Sequence, residues 1–306
     1  MDDARPPRRS GRLLSTYGWR IYALPVLMVV TALVVWDTAR DAPRDERSGV
    51  GGSMDAALGE RSDSDGPTEP GATEVPQAPV DLNIPTAELP NGGNYSQSGR
   101  HTWRVIPGSG PRVGTGGRLY TYTVEVEDGI DPAEYGGDAL FAKFVDETLA
   151  DPRGWTSTGS LSVQRVDADA NPMFRISLST PDTTHGPDLC GFSIRYESSC
   201  WRESARRVVI NLARWVRGAK AFGGNMLLYQ QYAINHEIGH AFDNGHVGCR
   251  NNGELAPVMM QQSFGVANDY VAQLNNVTGG DRNSVPADGR VCTPNPWPNP
   301  QAQPAG

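Results

Sequence analysis

The segment His236 to His246, HEIGHAFDNGH, gathers three of the chain's five histidines, with Glu237 directly after the first. On a helix His236 and His240 lie one turn apart on one face, so their imidazoles can converge on a single cation at about 2.0–2.1 Å. Glu237 is rotated out of that pair and is placed to hold a metal-bound water and take its proton. A third ligand cannot come from continuing the helix, because Asp243 would stand about 10.5 Å along the axis from His236. The chain must double back. Asp243, Asn244 and Gly245 tolerate left-handed backbone angles, which lets the helix end and delivers His246 to the cation. Three neutral nitrogens and one open position fit a catalytic Zn2+ site rather than a closed structural one. The bland alternative leaves His246 on the surface with Asp243 or Glu254 in its place, and helix geometry disfavours Asp243.

The elements that must hold these residues are legible around them. Gly223 and Gly224 break the chain, and Asn225 is the N-cap candidate for a helix through MLLYQQYAINHEIGHAF to about Phe242. Ile234, Ile238 and Ala241 fall about 200° round from the histidines, so one face packs while the other faces a cleft. RLYTYTVEVE (Arg118 to Glu127) alternates and is rich in β-formers, and SLSVQRVD, PMFRISLS and RRVVINLA read as further strands. DPAEYGGDALFAKFVDETLADP predicts a helix with Asp131 as N-cap and Pro132 at its first position, ending at Asp151 and Pro152. The order of strand, helix, several strands and a second long helix predicts an α+β domain.

Composition divides the chain of 306 residues unevenly. Residues 21–36, IYALPVLMVVTALVVW, carry no charge, follow an arginine-rich segment at 1–20, and are bracketed by Trp19 and Trp36. Sixteen helical residues span only about 24 Å, slightly short of the bilayer core, but Arg20 can snorkel and the tryptophans suit the interfaces. This predicts a single transmembrane anchor with a cytoplasmic N-terminus and an exported remainder. A cleaved signal peptide and a secreted product are the alternative, although WDTARDAP offers no small-x-small pair for cleavage. Residues 37–98, rich in Pro, Gly, Ser, Asp and Glu, read as a disordered acidic linker, and 299–306 as a disordered tail.

Cys190, Cys200, Cys249 and Cys292 all lie in the exported part, where an oxidising compartment favours disulfides, and no C-x-x-C spacing supports thiolate ligation. Three pairings are possible; Cys190 with Cys200 would close a short loop able to hold an edge hairpin. A net charge of −8 excludes the basic footprint of a nucleic-acid binder.

The pattern H236-E237-x-x-H240-x-x-x-x-x-H246 resembles the metzincin zinc-peptidase signature H-E-x-x-H-x-x-G-x-x-H. It departs from that signature once, with Asp243 in place of the glycine. APVMMQQSFG resembles the Met-turn beneath the metal of those enzymes, with Met259 the better candidate and Met260 the alternative. RVVINLARW, NHEIGHAFDNGHVGC, APVMMQQ and NPWP together resemble an uncharacterised actinobacterial domain family with a metzincin-like core, over roughly 99–298. The resemblance implies a mixed sheet above the active-site helix and a small irregular C-terminal subdomain below it. It also implies a membrane-anchored zinc peptidase acting on a protein or peptide substrate, with His236, His240 and His246 as ligands and Glu237 as general base. The same chemistry could serve a zinc amidase acting on cell-wall peptides. From another class, a non-catalytic wall- or protein-binding domain could keep a vestigial zinc site.

Overall fold

The alternating run at Arg118–Glu127 forms the longest strand, β2, of a six-stranded mixed sheet. The computed structural model describes residues 82–277 and 284–302. The other strands are β1 (Trp103–Val105), β3 (Leu161–Arg165), β4 (Phe174–Ser179), β5 (Cys200–Arg202) and β6 (Arg207–Asn211). Their order is β1-β2-β4-β6-β5, with β3 also paired to β2. Strands β2, β4 and β6 run parallel and form the centre, with Tyr122 opposite Phe174 and Arg175 opposite Arg207. The edges β1 and β5 run antiparallel to their neighbours. The architecture is α+β, as the order of elements predicts.

One face of the sheet makes the main core. Tyr122, Val124 and Val126, with Phe174, Ile176, Leu178, Val208 and Ile210, pack on helix α1 (Asp138–Ala150) and on Ile234 and Ile238 of helix α4 (Met226–Ala241). The V-E-V-E alternation at the end of β2 reads as a half-solvated strand, but Glu125 and Glu127 are buried too. Each is matched rather than exposed. Glu125 pairs with Arg207 at 2.5 Å and accepts from Ser177. Glu127 accepts from the backbone N–H and hydroxyl of Thr180, at 2.8 and 3.0 Å, and from the Thr183 hydroxyl at 2.6 Å. That carboxylate therefore caps the short helix α2 (Pro181–His185) that leads into the wall of the cleft.

Several boundaries differ from the sequence expectation, each for a local reason. Asp131 does cap a turn, accepting from the Ala133 N–H, but only a 3-10 turn follows. Gly136 and Gly137 then take φ of 84° and 87°, and α1 starts at Asp138. The edge hairpin forms after the Cys190–Cys200 loop, between β5 and β6, because Cys200 opens β5. Residues 82–98, which composition assigns to the linker, are built into the domain. Leu82, Ile84 and Ala87 are buried, Ile84 N–H donates to the Tyr196 hydroxyl at 2.8 Å, and the buried Arg214 donates to the Ala87 carbonyl. Three apolar side chains with long-range polar anchors outweigh the polar average of the segment. At the other end Asn299 is tied by its N–H to the Arg153 carbonyl at 3.0 Å, so order persists past the expected limit at 298.

Beyond α4 the described residues are mostly irregular, with a short helix, α5 (Asn268–Val271), and a second apolar cluster of Ala256, Met260, Phe264, Val271 and Leu274. The expected anchor at 21–36, the segment 1–20 and most of the linker lie outside the described residues. Among the described residues no helix is long and apolar enough to cross a membrane.

Candidate metal centre

Helix α4 begins where Asn225 accepts from the Leu228 N–H at 3.2 Å, the capping bond its sequence position predicts. Sixteen residues later the helix ends in a Schellman turn. Asn244 N–H reaches back to the Gly239 carbonyl and Asp243 N–H to the His240 carbonyl, each at 3.0 Å. Asp243 takes the left-handed angle, φ 64°, in the place where glycine is usual. Gly245 does not adopt a left-handed φ, so a single residue makes the reversal. The Asn244 amide also donates to the Gly239 and Phe242 carbonyls and braces the turn.

The reversal brings His246 to the other two histidines. One ligand atom from each of His236, His240 and His246 lies within 4.8 Å of the others. His240 Nε2 and His246 Nε2 stand 3.0 Å apart, and the ring centres are separated by 4.9, 5.4 and 4.5 Å. Neither Asp243 nor Glu254 joins this group.

Two backbone carbonyls set the chemistry of the rings. His236 Nδ1 faces the Val258 carbonyl and His240 Nδ1 the Asn244 carbonyl, both at 2.8 Å. A carbonyl only accepts, so each Nδ1 carries the proton and each Nε2 presents a lone pair. Burial, then the neighbouring His240 and His246, push the His236 imidazole well below its ordinary pKa, so it is neutral. Lone pairs converging on one point repel unless a proton or a cation lies between them. This donor set fits a divalent cation that accepts imidazole nitrogen.

Glu237 follows in the same cleft, fully buried, and burial pushes its carboxyl up to about 8. A cation beside it acts in the opposite direction.

The floor beneath the histidines comes from the segment after the reversal. Val258 supplies the carbonyl to His236, and the Val247 N–H donates to the Met259 carbonyl at 3.3 Å. Met259 packs with Phe222, Tyr229 and Tyr232 under the site, whereas Met260 belongs to the separate C-terminal cluster. Of the two methionines, it is Met259 that lies against the histidine-bearing helix, with its sulfur close to Gly239. The Asn295 N–H donates to the Gln262 side chain and the Gln262 amide to the Asn295 carbonyl, both at 2.8 Å, which ties NPWP to this floor.

Cys190 is bonded to Cys200 and Cys249 to Cys292. The first bridge joins a loop that forms one wall of a cleft of about 1190 Å³. The second ties the irregular segment just after His246 to the segment at 292. Sequence reasoning missed the two ligand-orienting carbonyls, since any residue can supply one, and it missed the apolar wall of Phe192, Ile194, Leu274 and Val277, which meets only in the folded chain.

No curated protein and no solved structure matches the chain. The family described as "Protein of unknown function (DUF3152)" matches residues 89–300, more than half of the chain and all of the residues that build this centre. The chain, with its three-histidine cluster able to hold a metal ion, belongs to that family.

Proposed function

We propose that the protein is a zinc-dependent peptidase of metzincin type, held at the outer face of a membrane by residues 21–36. The observation that supports it most is the convergence of three imidazole nitrogens within 4.8 Å, in a cleft that also holds the buried carboxylate of Glu237. His236, His240 and His246 would hold the ion, each as a neutral ring. Zn2+ bound there would bring a water towards ionisation at neutral pH and polarise a substrate carbonyl.

The chain's own groups do the rest. Glu237 accepts a proton from the attacking water at a carboxylate oxygen. It returns that proton to the amine as the C–N bond breaks. The Val258 and Asn244 carbonyls keep the two helical imidazoles in one tautomer throughout. A purely structural ion has no use for a buried base beside it, which favours a hydrolase over a binding module. Two disulfides support an oxidising, extracytoplasmic compartment.

The test uses the full chain and its Glu237→Gln variant, with metal analysis and digestion of casein and a broad peptide library. We expect one equivalent of zinc in both proteins, and cleavage slowed by about 10²–10⁴ in the variant. Equal cleavage by both would remove Glu237 from the mechanism, and a wild-type chain that binds no zinc would sink the assignment.

A further inference from the structure

The cleft is chemically one-sided. Its apolar wall, with Phe192, Ile194, Leu274 and Val277, contributes no ionisable side chain, whereas the part of the rim built by the end of the sheet carries Arg118, Arg202 and Arg206. These three arginines come to the same end of the sheet because of strand order, with β4 between Arg118 and the other two. Arg118 opens β2, Met173 precedes β4 and donates its N–H to the Thr121 carbonyl, Arg206 precedes β6, and Arg202 closes β5. The rim joins the histidines through aromatic contacts. Phe242, two residues after His240, lies 4.6 Å from Tyr120 and 6.1 Å from Phe174, and Phe174 lies 6.5 Å from Trp201.

These guanidiniums are poorly matched within the chain. Among the described residues Arg118 has only the face of the Tyr120 ring, at 4.8 Å, and no ion pair. Arg202 has a buried Nε with no hydrogen-bond partner. Arg206 makes two long bonds of 3.4 Å, to the Pro172 carbonyl and the Asn171 side chain. Glu203 and Asp243 share the rim, but both are exposed and neither pairs with an arginine. In a chain of net charge −8, three arginines left without carboxylates beside a hydrolytic centre suggest that the carboxylate comes from outside.

We propose that this rim is a carboxylate subsite, and that the substrate is a peptide segment carrying Asp or Glu side chains on one side of the cleaved bond. The aromatic shelf takes the aliphatic stem of the acidic residue and the arginines take its charge. The apolar wall accepts apolar side chains. This inference deepens the peptidase reading and rests on it for the word substrate, but the subsite itself can be tested separately.

The experiment uses the full zinc-loaded chain and paired quenched peptides that differ only in Asp against Asn, or Glu against Gln, scanned across the cleaved bond. The acidic member is expected to have a kcat/KM roughly five- to tenfold higher at positions on one side only, as two or three exposed ion pairs allow, and the preference should fade at high salt. Arg118→Gln, Arg202→Gln and Arg206→Asn should each lower the acidic-to-amide ratio, and Arg118→Lys should keep part of it. Asn is chosen at Arg206 because that residue has φ 48°. Binding of the same pairs to the Glu237→Gln chain, followed by fluorescence anisotropy, separates the two readings. Arginine-dependent preference in binding with no cleavage by any form would keep the subsite and end the peptidase. Cleavage with a ratio near one, or with a ratio the arginine variants leave unchanged, would end the subsite alone.

Discussion

Replacing Gly239 by alanine probes how closely the helix approaches the floor of the site. At an ordinary helix interior the change gains about 1 kcal/mol, since alanine is the better helix former. At Gly239 a Cβ would lie 2.7 Å from Trp155 Cζ2 and collide with Met259 Sδ, closer than real Cβ atoms come. Trp155 cannot retreat, because its Nε1–H donates to the Asn235 carbonyl at 3.0 Å and its ring stands edge-on to Phe242 at 6.0 Å. Met259 can give way only partly, because it is itself buried. Overpacking of this kind costs about 1–3 kcal/mol. The propensity gain offsets part of it, leaving a net loss of up to about 2 kcal/mol. For a domain of this size the melting temperature falls by about 2–4 °C per kcal/mol. Metal affinity should fall as well, by about tenfold, because the Met259 segment carries the carbonyl that orients His236 and accepts from the N–H of Val247, next to His246. The assay is a double-mutant cycle with Met259→Ala, read by thermal melts and zinc titration. In the Met259→Ala background the collision with the Met259 sulfur is gone while that with Trp155 stays, so the two changes should couple favourably by about 1 kcal/mol. If Gly239→Ala instead raises the melting temperature and leaves zinc affinity untouched, the helix does not lie against Met259 as described.

Asp243→Ala should cost about 1 kcal/mol and loosen zinc binding, while Asp243→Gly should retain both, because only glycine takes the left-handed angle without strain; melts and zinc titration of the two variants decide it. Equal behaviour of the two variants would mean that the φ of residue 243 does not control the delivery of His246. His185 donates to Glu197 at 3.3 Å, and this partner, followed by Glu197 and Asp182 charge, raises its pKa above the ordinary 6.5. A raised histidine pKa stabilises the fold fully below about 6.5 and the contribution is lost as pH rises through the folded value. The gap in urea midpoint between wild type and His185→Gln should therefore shrink from pH 5.5 to pH 8.5, and a gap that widens would contradict the pairing. Loss of the Cys249–Cys292 bridge, which closes the longer loop, should cost about 4 kcal/mol in chain entropy against roughly 3 for Cys190–Cys200. Serine pairs compared by denaturant midpoint should show that ranking, and the reverse order would point to strain rather than loop length.

The parts of the centre that the sequence determined by itself are those with short-range causes. Helical spacing alone puts His236 and His240 on one face, the Asn225 side chain starts that helix, and Asp243 is one of the few residues able to take the angle that ends it. Runs of β-formers mark β2, β4 and β6 for the same reason, since strand geometry needs only neighbouring residues. What depends on distant segments was not readable. The Val258 carbonyl that fixes the His236 tautomer comes from 22 residues away and leaves no trace in residue type. Residues 82–98 look like linker by composition, and only the surfaces that Ile84 and Ala87 meet make their burial worthwhile. The three rim arginines are drawn from positions up to 88 residues apart along the chain and become one feature solely through strand order, because a local pattern encodes which way a side chain faces but not what the fold sets opposite it.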